Sequence, residues 1–361
     1  MELEVTVGDQ TIRALAYPAL TGAPQPGDRV LLNTGALDLG LGTGGYALVV
    51  AIPDRLPPDR GGPGHLVKAR YTPMQATVLG ADEQGSDYHD MLREADDLGG
   101  MPVVVADLHS ALPAVLAGYL AARSELTAAG QAAGPADARM PVIAYVMLDG
   151  GALPAWFSRT VAALSELGWL GGTVTVGQSF GGDLEAVTLH SGLLAARHVL
   201  GAEMTLVAQG PGNLGTGTRW GFSGVASGEA INAAAVLGGR PVGSLRVSQA
   251  DPRERHRGVS HHSLTAYGRV ALARADIVVP DLPGEFGARL LAAAQPLASR
   301  HNLVRVSVDG LSELLQDCPV TLSTMGRGLA EDQAYFLAAA AAGRHAAGLL
   351  PDAGLHAAGS G

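Results

Sequence analysis

The chain has 361 residues, of which 47% are apolar and 4% aromatic, and its net charge is −10. This length can form two domains with a sizeable core. The negative charge disfavours nucleic acid and anionic membranes as partners. The single cysteine, Cys318, excludes an intrachain disulfide and a cysteine-based zinc cluster. The first residues lack the basic and apolar regions of a signal peptide, so we expect a cytoplasmic protein.

Residues 1–80 contain short β-like runs separated by Gly/Pro turns, without room for a useful helix between them. This spacing predicts a small N-terminal antiparallel β-barrel-like domain. Residues 81–100 are rich in carboxylates and predict an acidic linker or helix. The strand candidates of the first domain are Leu3–Val7, Thr11–Ala16, Arg29–Asn33, Tyr46–Ile52 and His65–Tyr71.

Between residues 101 and 350, apolar runs of four to eight residues alternate with Ala/Leu-rich stretches. This alternation predicts an α/β domain with a mostly parallel sheet flanked by crossover helices. We favour an open, doubly wound sheet; a closed (β/α)8-like barrel is the alternative, because about eight units can be counted. Residues 351–361 are expected to form a frayed tail. The main strand candidates are Pro102–Ala106, Val142–Leu148, Thr173–Val176, Met204–Ala208, Val242–Val247, Asp276–Pro280 and Leu303–Val308.

Short polar breaks follow most of these strands, and ligands bind where the carboxyl ends of parallel strands meet. Asp107 and His109 directly follow the first of them, and an Asp-x-His pair can bind a divalent metal or orient an imidazole base. Asp251, in a later break, is the third candidate ligand for such a metal. His109 is also a catalytic candidate, as is Asp149 at the end of the next strand. The alternative is that the aspartates only cap turns and helices.

The richest glycine loop of the chain is QGPGNLGTGTR, residues 209–219. Its backbone N–H groups can hold an anion, and the arginine adds positive charge. The loop lacks the spacing of a P-loop or a dinucleotide fingerprint, so the predicted ligand is a small anion, such as a phosphorylated or nucleotide-like metabolite. The alternative is a long flexible connection. The predicted ligand-binding residues are Gly210, Gly212, Asn213, Gly215 and Arg219.

The segment DPRERHRGVSHH, residues 251–262, concentrates arginines and histidines in one predicted strand-to-helix connection. Arginine forks bind carboxylate or phosphate, which makes Arg253 and Arg257 ligand-binding candidates. Ser260 can cap the following helix, whose positive end favours neutral imidazoles. Such imidazoles are bases or metal ligands; otherwise the segment is a salt-bridged surface loop. The catalytic candidates of this segment are His256, His261 and His262.

Two further glycine motifs give weaker evidence for a functional site. GQSFG, residues 177–181, matches the nucleophile elbow of serine hydrolases around Ser179, but the oxyanion loop and the order of acid and histidine do not fit. We therefore prefer a tight turn there. GLGTGG, residues 40–45, is followed by a predicted strand and not by a helix, which rejects a dinucleotide loop. No nicotinamide or flavin cofactor is expected, and a divalent metal is a candidate cofactor.

Several long stretches are familiar when taken together. They resemble a bacterial family known only as domain of unknown function 3866, and the resemblance covers most of the chain. It implies no activity, substrate or catalytic residue. The stretches are LLNTGALDLGLGTGGYALVVA, GHLVKARYTPMQ, DLHSALPAV, AQGPGNLGTGT and DPRERHRGVSHHSLTAYG.

The functional groups favour an enzyme, a hydrolase or group transferase, that binds a small anionic metabolite at the carboxyl edge of the sheet. A non-catalytic ligand-binding sensor is the alternative, and a divergent serine hydrolase using Ser179 is a second one. The Ala-rich helices and the apolar surplus favour a homodimer.

Overall fold

The computed structural model describes residues 1–42, 44–58, 62–129 and 140–349. The chain forms two compact units, Met1–Leu79 and Gly80–Gly361. The predicted tail, residues 351–361, lies outside the described residues. Within the described part, no helix combines the length and hydropathy needed to cross a membrane.

The first unit contains a four-stranded sheet in the order β1-β2-β4-β3, and β5 and β6 form a separate antiparallel pair. Because β2 and β4 are parallel while the other pairs are antiparallel, the sheet is mixed. The predicted antiparallel barrel was therefore wrong, because the described strands do not close into a barrel. The long connection from β2 to β4 permits their parallel pairing. The elements are β1 (Glu2–Val7), β2 (Gln10–Leu15), α1 (Pro18–Thr21), β3 (Leu31–Asn33), α2 (Gly35–Asp38), β4 (Ala47–Ala51), β5 (Leu66–Lys68) and β6 (Ala76–Val78).

The second unit is built on an eight-stranded sheet in which every pair of neighbouring strands is parallel. Its strands are β7 (Pro102–Ala106), β8 (Ile143–Leu148), β9 (Gly172–Thr175), β10 (Leu184–Glu185), β11 (Met204–Gln209), β12 (Arg240–Ser244), β15 (Asp276–Asp281) and β16 (Asn302–Ser307). Two small antiparallel pairs stand outside it, β13 (Val247–Ser248) with β14 (Gly258–Val259), and β17 (Ser323–Thr324) with β18 (Arg327–Gly328).

The strand order is β10-β9-β8-β11-β7-β12-β15-β16. The chain starts at β7, runs outward to β10, returns to insert β11 beside β7, and then proceeds through β12 to the opposite edge. This path confirms the open parallel sheet, and the alternative of a closed (β/α)8 barrel was wrong. The winding direction reverses around β11, β7 and β12, and ligands bind at the carboxyl ends of strands at such a reversal.

Helices cover both faces of the sheet. Side chains of α6, α7 and α9 join alternate strand residues in one core cluster, whereas α4, α5 and α10 join the intervening residues in another, and α11 contributes to both. The acidic segment 81–100 also lies in this unit, where Leu92 and Leu98 are buried. The helices are α3 (His89–Arg93), α4 (Leu112–Ala128), α5 (Arg159–Glu166), α6 (Leu189–His198), α7 (Ala226–Val236), α8 (His261–Thr265), α9 (Gly284–Ala294), α10 (Leu311–Gln316) and α11 (Gln333–Ala347).

The pair α4 and α11 packs backbone against backbone. A Cβ atom on Gly118 would overlap with the carbonyl of Ala340, and one on Gly343 would overlap with the carbonyl of Val115. Both helices are largely buried. The two glycines therefore set the distance between the helices, and α4 in turn begins next to the loop that carries Asp107 and His109.

Candidate functional site

Asp107 follows β7 at the reversal point of the sheet and is only 5% exposed. Its Oδ2 accepts hydrogen bonds from Arg246 Nη1 at 3.1 Å and from His262 Nδ1 at 2.9 Å. Asn213 Nδ2 lies 3.4 Å from Oδ1. A Cβ on Gly224 would overlap with this carboxylate, so the glycine at this position leaves room for the Asp107 side chain. Three segments that are remote along the chain thus converge on one carboxylate, as the parallel topology predicted.

A second carboxylate, Asp251, is fully buried and holds three arginines. Arg253 binds it bidentately, with Nε–Oδ1 of 2.9 Å and Nη2–Oδ2 of 2.8 Å. Arg327 Nη2 lies 3.3 Å from Oδ2, and Arg246 Nη2 lies 3.8 Å from the same atom. Arg246 therefore bridges the two aspartates. We call the paired charges of this region the ionic cluster; its members are Asp107, Arg246, Asp251, Arg253, Arg327 and Asp332.

Burial opposes the charged forms of these carboxyl groups. The hydrogen bond from His262 and the charge of Arg246 outweigh this opposition and lower the pKa of Asp107. Hydrogen bonds and charges from Arg253, with the charge of Arg327, do the same for Asp251. Buried ion pairs gain little net stability compared with apolar packing. Such a cluster at a ligand-binding edge therefore marks a candidate functional site.

Three imidazoles lie next to the ionic cluster, and we call His256, His261 and His262 the histidine cluster. Their ring centroids are 4.5 to 5.0 Å apart. Each ring offers a ligand atom, and these atoms lie within 4.8 Å of one another. The ring of Phe222 stacks on His262 at 3.7 Å and fixes its plane.

The local fold explains how the histidines are held. Ser260 caps α8, because its Oγ accepts the N–H of His262 at 3.2 Å, as the sequence predicted. The same Oγ lies 2.7 Å from His256 Nδ1. Burial lowers the pKa of His256 to about 3, helped by the charges of Arg246 and Arg253. Burial also lowers the pKa of His261 to about 4. Both rings are neutral near pH 7, and His261 Nε2 is buried without a hydrogen-bond partner.

A cleft of about 700 Å³ opens beside His261. Its wall carries the side chains of Arg219, Arg255 and Arg269. Gly217 of the glycine loop, Leu264 of α8 and the segment Pro296–Leu297 also line it. We call it the arginine cleft. Its volume suits a small molecule. The described residues that line it include no carboxylate.

The glycine loop is ordered by its own contacts. Ala152 N donates to the Pro211 carbonyl at 2.9 Å, and Thr216 N donates to the Gly221 carbonyl at 2.7 Å. Gly210 has no room for a Cβ beside Ala152, and Gly212 has a φ of +91°. Gly215 and Phe222 form an isolated antiparallel β-bridge. The first part of the loop thus supports Asn213 and Phe222, and only its end reaches the arginine cleft.

Other predicted residues are engaged elsewhere. His109 places Nδ1 3.0 Å from the Tyr145 hydroxyl and Nε2 2.7 Å from Ser158 Oγ, so both ring nitrogens are occupied. Asp149 accepts the N–H of Gln178 at 3.2 Å, which orders the turn after β9. Ser179 is fully buried and donates to the Leu148 carbonyl at 3.0 Å.

The predicted metal set of Asp107, His109 and Asp251 does not form a ligand group, because Asp107 and Asp251 bind arginines. Among the described residues, the histidine cluster is the group whose ligand atoms converge. Two predicted anion ligands are also occupied: Arg253 binds Asp251, and Arg257 Nε donates to the Asp251 carbonyl at 3.0 Å.

Sequence reasoning missed Arg246 and Arg269. Arg246 was assigned to the strand candidate Val242–Val247, although a charged residue in an apolar run costs free energy when buried and signals a partner. Arg269 lies beyond the segment 251–262, from which the candidate arginines and histidines were taken. In the structure α8 ends at Thr265 and a π-helical turn, Ala266–Val270, follows it. Such turns are frequent at functional sites.

Taken together, these features define a doubly wound α/β protein with charged and imidazole clusters at the point where the sheet reverses. The family described as a protein of unknown function, DUF3866, matches residues 13–343, and the chain belongs to it. The match confirms the resemblance seen in the sequence. No curated protein and no solved structure shows significant similarity to the chain.

Proposed function

We propose that this chain is an enzyme, a hydrolase or group transferase, that binds a small anionic metabolite in the arginine cleft. The observation that carries the proposal is the composition of the cleft wall, where Arg219, Arg255 and Arg269 surround the same space as His261. None of these arginines forms an ion pair with a described carboxylate. Unpaired guanidinium groups favour a phosphate or carboxylate ligand.

The reacting groups come from the histidine cluster. A neutral imidazole accepts a proton, and a carboxylate that binds its other nitrogen orients the ring and stabilises the charged form. Asp107 has this position on His262 Nδ1. His261 carries the cluster to the cleft wall, where a bound anion would lie next to it. This neighbourhood favours hydrolysis or group transfer on the anion.

Anion binding can be tested with pyrophosphate and isothermal titration. We expect Arg255→Ala and Arg269→Ala each to weaken binding by about tenfold, because each removes charge-assisted hydrogen bonds. The matched control is Arg305→Ala, an exposed arginine on β16 that pairs with Asp281 at 2.6 Å. Equal affinity in the wild type and in both cleft variants, or no binding at all, contradicts the proposal.

Turnover separates an enzyme from a sensor. We expect the wild type to hydrolyse generic phosphate or carboxyl esters, and His261→Ala to lose this activity while it still binds pyrophosphate. A protein that binds pyrophosphate through the cleft arginines but turns over no ester would instead be a sensor.

A further inference from the structure

The histidine cluster has one nitrogen available on each ring. Asp107 occupies Nδ1 of His262, and Ser260 occupies Nδ1 of His256, which leaves Nε2 on both rings. Nε2 of His261 is buried and has no partner. An imidazole nitrogen that is removed from water without a hydrogen bond costs free energy, and a bound cation would satisfy it.

We propose that His256, His261 and His262 bind one divalent cation of the zinc type, a site that places a metal beside the arginine cleft. Three imidazoles form a common ligand set for catalytic zinc and leave a fourth position for water or substrate. Nitrogen ligands of tetrahedral zinc lie about 3.4 Å apart. One nitrogen of each ring already lies within 4.8 Å of the others, so metal binding would draw these atoms only slightly closer together.

The surroundings of the cluster match those of metal-bound histidines. The carboxylate of Asp107 accepts the Nδ1–H of His262. The hydroxyl of Ser260 lies 2.7 Å from Nδ1 of His256 and accepts its N–H in the tautomer that presents Nε2 to a metal. Such partners fix the tautomer that presents Nε2 to a metal and raise the basicity of the ring. Phe222 stacks on His262 and restricts its rotation. Asp107 is thus a positioning residue in this site.

Charge also favours an anion at the fourth position. The described arginines of the ionic cluster are compensated by Asp107, Asp251 and Asp332. A dication adds positive charge next to Arg255, and His261 lies at the cleft wall. An anionic substrate or a metal-bound hydroxide compensates this charge. A bound metal would occupy these imidazole nitrogens, so a water held by the metal, and not a free imidazole, would supply the base. This catalytic use of the metal rests on the proposed function, whereas metal binding itself does not.

The test uses the full chain, stripped with a chelator and titrated with Co²⁺ and Zn²⁺ in phosphate-free buffer near neutral pH. We expect one equivalent of metal and the intense visible absorption of tetrahedral cobalt. His261→Ala and His256→Gln should each weaken binding by at least about 100-fold, and Asp107→Asn by about 10- to 100-fold. The control is His190→Ala, an exposed histidine on α6 that should leave binding unchanged.

The inference is overturned if the wild type binds neither Co²⁺ nor Zn²⁺. It is also overturned if His261→Ala and His256→Gln bind both metals as tightly as the wild type does. Because the wild type alone can give the first result, the test holds even where a variant fails to fold. Pyrophosphate titration of the metal-free protein keeps the two proposals apart. A wild type that binds metal but no pyrophosphate refutes only the proposal on the arginine cleft. A wild type that binds pyrophosphate but no metal refutes only the metal site.

Discussion

Asp251 illustrates how single residues in this site depend on one another. It has no solvent exposure, and its carboxylate lies within 4.0 Å of three guanidinium groups. A neutral amide at this position would leave the buried Arg246 and the half-buried Arg253 and Arg327 without this counter-charge. An intact buried ion pair therefore contributes little to the free energy of unfolding, whereas removal of one partner lowers this free energy strongly.

At this scale we predict that Asp251→Asn lowers the free energy of unfolding by about 3–5 kcal/mol in chemical denaturation. The control is Asp281→Asn, since Asp281 pairs with Arg305 at an exposed position and should contribute at most about 1 kcal/mol. Equal effects of the two substitutions would show that the ionic cluster is not electrostatically coupled.

At the scale of elements, the contact between α4 and α11 depends on missing side chains. We predict that Gly343→Ala destabilises the protein by about 1–3 kcal/mol, because the added methyl group has no space beside the Val115 carbonyl. Gly348→Ala, at the end of the same helix, places its methyl group at ordinary contact distance and should be nearly neutral. Thermal unfolding measures both; a neutral Gly343→Ala would mean that the helices separate without cost.

The elements also show what sequence patterns can and cannot predict. The prediction of strand Pro102–Ala106 was confirmed to the residue, because an apolar run marks its limits. The parallel pairing of β2 with β4 was missed, since strand-like patterns do not encode partners. Similarly, the parallel topology predicted that the polar breaks meet at one edge of the sheet, but not that Arg246 joins Asp107 there, because this contact depends on side-chain direction after β12.

At the scale of the whole molecule, buried histidines couple stability to pH. Burial lowers the pKa of His109 to about 4 in the folded chain, whereas an unfolded histidine titrates near 6.5. Below that value the unfolded chain binds more protons than the folded one. The contribution of His109 is therefore complete above about pH 6.5 and is lost as the pH falls towards 4.

We predict that urea unfolding of the wild type becomes easier as the pH falls through this range, and that His109→Gln reduces the pH dependence. His190→Gln serves as the control, because this exposed side chain changes its environment little on unfolding. A pH dependence that is the same in His109→Gln as in the wild type would contradict the assignment.

The distance along the chain between Asp107 and its partners has a consequence for biosynthesis. Arg246 and His262 follow Asp107 by 139 and 155 residues. Arg327, which completes the pairing of Asp251, comes later still. A ribosome must release most of the polypeptide before these charges can neutralise one another. Nascent chains and truncated products therefore lack the assembled site, and ligand binding reports that synthesis and folding have both finished.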